Sequence, residues 1–459
     1  MGSTGTGAPV DLSHHINRKS KARHASPLKD IIKPPPPVPL PLHAARFDCL
    51  PPSSSMPDPD EGGAADDLVS LTLGRGSSPS VLDLTRSLQY GSGTGNKQLL
   101  ALCREITDKV HSPPCSYECL LHPGNTNAWA KVVGMLCEDD DFVLVEEYTY
   151  PSAQALWIPL GVRAVPVSAD AQGISANVLR DVLATWDEKG RGARRPKAIS
   201  CCRWVEPTGL SISTERRKEI YDVCVEFDIV IVEDDPYYFL QYPRCSLSAN
   251  PSATEFNLLD IPSFLKSLTP SFLALDTQSR VIRLESFSKT IFPERLLRAT
   301  EVETQDPAGL SQAFALALLR NWGVDGYLEW LQRLRGQYRL AVDSPLPKAE
   351  GYVACLETRT GDEASLRLHR PEAGMFVWSK WYFAGVERFA ELSASDEVDP
   401  EQSFATELWA AWASELVLVT PGSYYHPWQG TDTVTTRERG AEEGGSFQVL
   451  VCDANGGAD

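Results

Sequence analysis

Short apolar runs alternate with longer amphipathic ones through the middle of the chain, and this alternation limits the available folds more than any other feature. The apolar runs are Tyr117–Leu121, Phe142–Glu146, Arg163–Val167, Ala198–Cys202 and Ile229–Glu233, each the length of a buried strand. Between them lie helical patterns over 126–137, 152–159, 176–186 and 213–226. Strands separated by helices give an α/β architecture with a mostly parallel sheet flanked by helices on both faces. In such sheets, ligands collect beyond the carboxyl ends of the strands. A further strand over Arg280–Glu285 is followed by helical patterns over 309–320 and 325–340. Strands near 365–369, 375–380, 416–419 and 447–452, with a helix near 402–413, then suggest a smaller α+β domain.

A chain of 459 residues exceeds one ordinary hydrophobic core. The expected division is a mostly disordered arm over 1–80, a large domain over 81–340 and a small domain over 341–459. The arm contains Pro34-Pro35-Pro36-Pro37 and Ser53-Ser54-Ser55, a composition that lacks core-forming pattern. Regular order is expected from about Asn96, where Leu99, Leu100, Leu102, Ile106 and Val110 recur at helical spacing.

The net charge of −18 opposes nucleic acid and anionic membrane as partners, because both require surplus Lys and Arg. The eleven cysteines form no C-x-x-C and meet no His cluster at zinc-ligand spacing, so no metal is expected. No apolar stretch reaches bilayer length and the N-terminus lacks a signal-peptide core, which makes a cytoplasmic location the default. A small-molecule substrate fits this balance.

Two strand ends carry the chemistry. Ile229-Val230-Ile231-Val232 runs into Glu233-Asp234-Asp235-Pro236-Tyr237-Tyr238, which places acids and phenols where a buried strand emerges. Taken alone, that is equally an ordinary Asp-Pro turn. Arg280–Glu285 runs into Ser286-Phe287-Ser288-Lys289, which sets an amine after two hydroxyls. Alone, such a lysine is more often a surface residue. Together they match the needs of pyridoxal 5'-phosphate (PLP). That cofactor takes an amine for imine formation, a carboxylate for the pyridine nitrogen, a phenol near the ring oxygen, an aromatic face and a phosphate cradle. Lys289, Asp235, Tyr238, Tyr150 and the Ser286/Ser288 pair offer one of each.

On these residues the chain resembles the fold-type I PLP aminotransferases, in the group acting on aromatic amino acids, kynurenine and 2-aminoadipate in fungi and animals. Further matching stretches are Leu12-Ser13-His14-His15-Ile16-Asn17, Leu88-Gln89-Tyr90-Gly91, Gly124-Asn125-Thr126, Glu206-Pro207-Thr208-Gly209, Ala373-Gly374-Met375-Phe376 and Pro421-Gly422. The resemblance implies that Tyr90 reaches the cofactor phosphate of a partner subunit, hence a homodimer, and that Asn125 and Thr126 meet the phosphate at a helix N-terminus. It implies that Tyr150 stacks on the ring, Asp235 pairs with its nitrogen and Tyr238 with its oxygen. Lys289 would bind the aldehyde and shuttle the proton. The activity so implied is transfer of an amino group from an aromatic or similarly large L-amino acid to a 2-oxo acid.

Several family positions are altered. Glu206 stands where an asparagine usually precedes Pro-Thr-Gly, and Gln448 stands where a late strand usually carries the arginine that clamps the substrate carboxylate. The phosphate arginine expected after Lys289 is missing from its usual spacing, leaving Arg295 and Arg298 in a helical pattern. Pro34–Pro41 replaces a glycine-rich segment that covers the substrate. A catalytically impaired PLP-binding pseudoenzyme of the same fold is therefore the second reading.

Overall fold

A computed structural model describes residues 9–22, 45–49, 69–74, 81–83, 94–170, 172–202, 212–242, 258–287, 289–290, 309–343, 366–369, 371–374, 376–383, 386–395, 400–414, 420–425 and 444–450. The chain forms two compact units, each built from segments far apart in sequence. One comprises Met1–Met135, Phe256–Arg280 and Leu284–Leu334; the other comprises Leu136–Glu255, Val281–Arg283 and Arg335–Asp459. This differs from the expected boundaries at 80 and 340, because distant segments associate to complete each unit.

The first unit holds a small sheet of β1 (Ala45–Cys49), β2 (Val69–Gly74) and β3 (Val81–Asp83), with β1 and β2 antiparallel and β2 and β3 parallel. The short helix Arg18–Lys21, β1 and β2 are regular elements within the stretch 1–80, which was expected to be mostly disordered. Asn17 explains part of that order. Its backbone amide donates to the Met135 carbonyl (2.8 Å) and its side-chain amide to the Gly134 carbonyl (2.9 Å). Those carbonyls belong to the last turn of the helix Asn125–Leu136, where intrahelical donors run out. The helix Lys97–His111 starts at Asn96, whose side chain accepts from the Gln98 and Leu99 amides. The helices expected over 309–320 and 325–340 lie on either side of a break at Gly323 (φ 67°, ψ 174°) within Gly309–Asp343.

Tyr117–Leu121 is a further correction. It is described but is not a strand, and it has no ladder partner among the described residues. Local polar bonds replace pairing there: the Tyr117 hydroxyl donates to the Asp108 carboxylate (2.8 Å) and the Leu121 amide to the Thr94 carbonyl (3.0 Å).

The second unit carries the main sheet. It contains β4 (Phe142–Glu146) and β5 (Arg163–Val167), then the hairpin β6 (Ala169–Asp170) and β7 (Gly173–Ile174) outside it, then β8 (Ala198–Cys202), β9 (Val230–Asp234) and β10 (Val281–Leu284). The order across the sheet is β10-β9-β8-β4-β5, and the β4–β5, β4–β8 and β8–β9 pairs are parallel. Val143, Leu144, Val145, Ile199, Ile231 and Val232 are fully enclosed. Each such side chain contributes on the order of 2 kcal/mol by leaving water. The crossover helices begin at serine caps, with Ser175 accepting from the Val178 amide and Ser213 from the Arg216 amide.

The same unit holds a second sheet, β11 (Leu366–His369), β12 (Phe376–Tyr382), β13 (Thr420–Pro421) and β14 (Gly444–Leu450), in the order β11-β12-β14-β13 and antiparallel throughout. The expected strand over 416–419 falls outside the described residues. The helices Glu387–Ser393 and Pro400–Ser414 enclose Phe383, Phe389 and Ala405 against Phe404 and Trp412. No helix among the described residues is long and apolar enough to cross a membrane.

Candidate active site

Lys289 sits in a tight turn that follows β10 and is pinned from several sides. The Thr290 amide donates to the Phe287 carbonyl (3.1 Å), and the Thr290 hydroxyl pairs with the Tyr327 hydroxyl (3.2 Å). The Trp330 indole donates to the Thr290 carbonyl (2.6 Å), and the Phe287 ring meets Tyr327 edge-on at 6.0 Å. Burial pushes the Tyr327 phenol well above its ordinary range, so it stays a neutral hydrogen-bonding group. Thr290 is buried while Lys289 and Ser286 are half-buried. A lysine in that turn is held in place without being sealed in.

Asn125 opens its helix next to the same turn. Its side-chain amide donates to the carbonyl of Leu284, the last residue of β10 (3.3 Å). The helix start is thereby tied to the strand that leads to Ser286 and Lys289. Thr126 is exposed on the first turn. Gly124 precedes it at φ 147°, with nothing near the position of a side chain. Backbone amides at such a helix start suit an anion.

Asp235 lies one residue beyond β9 and is buried, as are Tyr237 and Tyr238. Strand side chains alternate in direction, so Glu233 and Asp235 point the same way and Asp234 the other. Arg283 on the neighbouring β10 meets both acids, at 2.9 Å from Glu233 and 3.9 Å from Asp235. Its guanidinium also lies over the Tyr238 ring, 4.8 Å from the centroid. Cys201 on β8 is in register with Glu233, and its thiol is pushed far up by burial, then by Cys224, Glu146 and Glu233. The loop after Asp235 is anchored by exchange with 372–374: Tyr242 amide to Glu372 carbonyl (2.8 Å), Gly374 amide to Leu240 carbonyl (3.1 Å), and the Tyr242 hydroxyl to the Gly374 carbonyl. Gly374 adopts φ 80°, a conformation that favours glycine.

Tyr150 precedes the helix Pro151–Trp157, which follows β4, and is 37% exposed. Its neighbours are fixed by the second sheet of the unit. Tyr148 packs edge-on against Trp378 at 5.2 Å, and the Thr149 amide donates to the Tyr425 carbonyl (2.7 Å). Trp378 on β12 is in register with Gln448 on β14. Tyr90, Glu206, Ser288, Arg295 and Arg298 lie outside the described residues.

Of the described candidates, Asn125, Thr126, Ser286 and Lys289 lie around the turn after β10 and its bonded helix start, Asp235 and Tyr238 after β9, and Tyr150 after β4. Sequence reasoning missed Glu233 and Arg283 beside Asp235 and Tyr238. The legible signal was an arginine inside the otherwise apolar run Val281-Ile282-Arg283-Leu284.

An aromatic amino acid aminotransferase of Schizosaccharomyces pombe is 33% identical over 409 residues, covering 81% of this chain and 82% of the relative. The chain belongs to the fold-type I aminotransferases. An L-tyrosine:2-oxoglutarate aminotransferase of Serpula lacrymans is 30% identical over 461 residues, covering 92% of this chain and 84% of that protein. A crystal structure of a Candida albicans aminotransferase matches with a TM-score of 0.80 at 30% identity, covering 97% of this chain and 95% of the other. No protein-family model matches the chain. Aminotransferases of this fold depend on PLP, and the residues here suit it. A buried carboxylate at the end of β9, an amine in the turn after β10 and a helix start bonded to β10 are each of a kind that the cofactor takes.

Proposed function

We propose that this aminotransferase moves the amino group of an aromatic L-amino acid to a 2-oxo acid, with Lys289 as its catalytic amine. The observation that carries the reading is the placement of Asp235, buried at the end of β9, beside the strand whose continuation holds Lys289. When bound, PLP supplies an aldehyde for amines and a ring that withdraws electrons. Asp235 would pair with the ring nitrogen, Tyr238 would hydrogen-bond the ring oxygen and Tyr150 would cover one ring face. Asn125, Thr126, Ser286 and Ser288, with Tyr90 of the partner subunit in a homodimer, would hold the phosphate. Lys289, released by the incoming amine, would move the proton from the substrate α-carbon to carbon C4′ of the cofactor, and in the opposite direction when the 2-oxo acid is the acceptor.

Gln448 and Glu206 would stand at the substrate end. An amide at 448 offers a hydrogen bond but no bidentate charge to a carboxylate, so substrate would be held more loosely than by a guanidinium. A cytosolic location accords with the acidic balance and the reduced cysteines.

The test is to load purified protein with PLP, follow the visible absorption band, and then add a panel of L-amino acids. The expected result is a band that Lys289→Ala abolishes and that tyrosine or phenylalanine bleaches as the amino group is transferred. A band unchanged in Lys289→Ala, or no uptake of PLP, would refute the reading. A Lys289-dependent band that no amino acid bleaches would establish the second reading, a cofactor-binding pseudoenzyme, which the amide at 448 favours.

A further inference from the structure

We infer that Arg283, paired with Glu233, is a positioning residue that keeps Asp235 ionised for the cofactor ring. The inference rests on the reading of Asp235 as the partner of the ring nitrogen.

The argument begins with charge and burial. Glu233 and Asp235 project from the same side of β9 and both side chains are completely enclosed. Two buried carboxylates facing one space do not both ionise readily, since each loses hydration and repels the other. Cys201 across the ladder is held neutral, and Glu146 on β4 is a further buried acid near it. Arg217 is a second buried cation close to Cys201, and its guanidinium donates to the Ile212 carbonyl (3.0 Å). Arg283 enters from β10 with only 4% of its side chain exposed and reaches both acids. Its closer contact is Glu233, so Glu233 takes most of the positive charge while Asp235 sees the guanidinium edge at 3.9 Å. The Tyr238 ring beneath the guanidinium limits its movement.

The consequence concerns one proton. With Arg283 present, Asp235 is an anion and keeps the ring nitrogen protonated. With Arg283 removed, Glu233 and Asp235 compete for a shared proton, and a protonated Asp235 donates to the nitrogen instead. The ring then withdraws fewer electrons. A merely structural arginine would predict damage that grows with each further substitution. Charge balance predicts the reverse: deleting Glu233 as well removes the competing acid and repairs the defect.

The experiment compares Arg283→Met, Arg283→Lys, Glu233→Gln and the double variant Arg283→Met/Glu233→Gln as full-length protein, each checked for folding by circular dichroism. Three readouts apply: PLP affinity by equilibrium dialysis, the pH midpoint of the visible band, and nitrogen NMR of isotope-labelled cofactor. Arg283→Met is expected to bind PLP at least about tenfold more weakly, to raise the band midpoint by about one pH unit and to shift the ring nitrogen toward its unprotonated signal. Arg283→Lys should fall between it and the wild type, which keeps the question open to measurement if the methionine variant misfolds. The double variant should recover most of the affinity and the wild-type nitrogen signal. A double variant as poor as Arg283→Met, or an unchanged nitrogen signal in Arg283→Met and Arg283→Lys alike, overturns the inference. If the wild type lacks a Lys289-dependent band, or Asp235→Asn leaves the nitrogen signal unmoved, the reading of the site itself fails.

Discussion

Arg283 and Arg388 each face two carboxylates at salt-bridge distance, and the contrast between them shows what environment does to identical chemistry. Arg388 reaches Glu407 at 2.7 Å and Glu391 at 3.0 Å, with 51% of its side chain exposed and its partners exposed at 46% and 59%. Arg283 reaches Glu233 at 2.9 Å, with 4% and 0% exposed. By distance alone the surface cluster looks the stronger. Water and ions screen it, however, and each long side chain must be held still to form it. In the interior there is no solvent to replace a missing partner, so the buried cluster makes each member depend on the others.

The comparison can be broken by substitution. Removing Arg283 leaves two enclosed acids, so Arg283→Met should lower the stability of the folded chain by ~3 kcal/mol, read as a lower urea midpoint. A variant with the wild-type midpoint would mean that water enters the site and the contrast is false. Arg388→Met, made in the same background, should leave the midpoint within experimental error. A large loss there would show that the surface cluster ties together the helices Glu387–Ser393 and Pro400–Ser414 more firmly than exposed pairs do.

The smallest effect is a matter of pH. Hydrogen bonding to Arg388 holds the Glu407 carboxyl below its ordinary value of 4.5. Because the folded value is the lower one, any stability it carries is present above 4.5 and is lost as the pH falls through the depressed value. A carboxylate titration followed by NMR should therefore move back toward 4.5 in Arg388→Met.

Much of this architecture was legible in residue order. The strands Phe142–Glu146, Arg163–Val167 and Ala198–Cys202 coincide with the expected runs, and Val230–Asp234 is displaced by one residue. Those strands are enclosed on both faces, where continuous apolar character is a strong signal. Tyr117–Leu121 misled because it alternates as a strand does, with its inward positions only half-buried and no ladder partner among the described residues. The strands β1 and β2 were hidden for the opposite reason. Val69-Ser70-Leu71-Thr72-Leu73 alternates clearly, but its Pro- and Ser-rich surroundings outweighed it. In the site, Asp235 and Lys289 stood out as polar groups at the ends of apolar runs. The coupling of Asp235 to Arg283 joins residues 48 positions apart, and one-dimensional spacing has no way to display a ladder between strands that far separated.

The junction between the two helices of Gly309–Asp343 hangs on one codon, that of Gly323. Positive φ combined with fully extended ψ is a conformation that only glycine occupies without penalty. The space around it is open, with nothing within 4 Å of where a side chain would begin. Any replacement is thus strained by its own backbone rather than by a neighbour. Tyr327 and Trp330, which brace the turn at Thr290, lie just past that junction, so a heritable change at Gly323 would be felt beside Lys289.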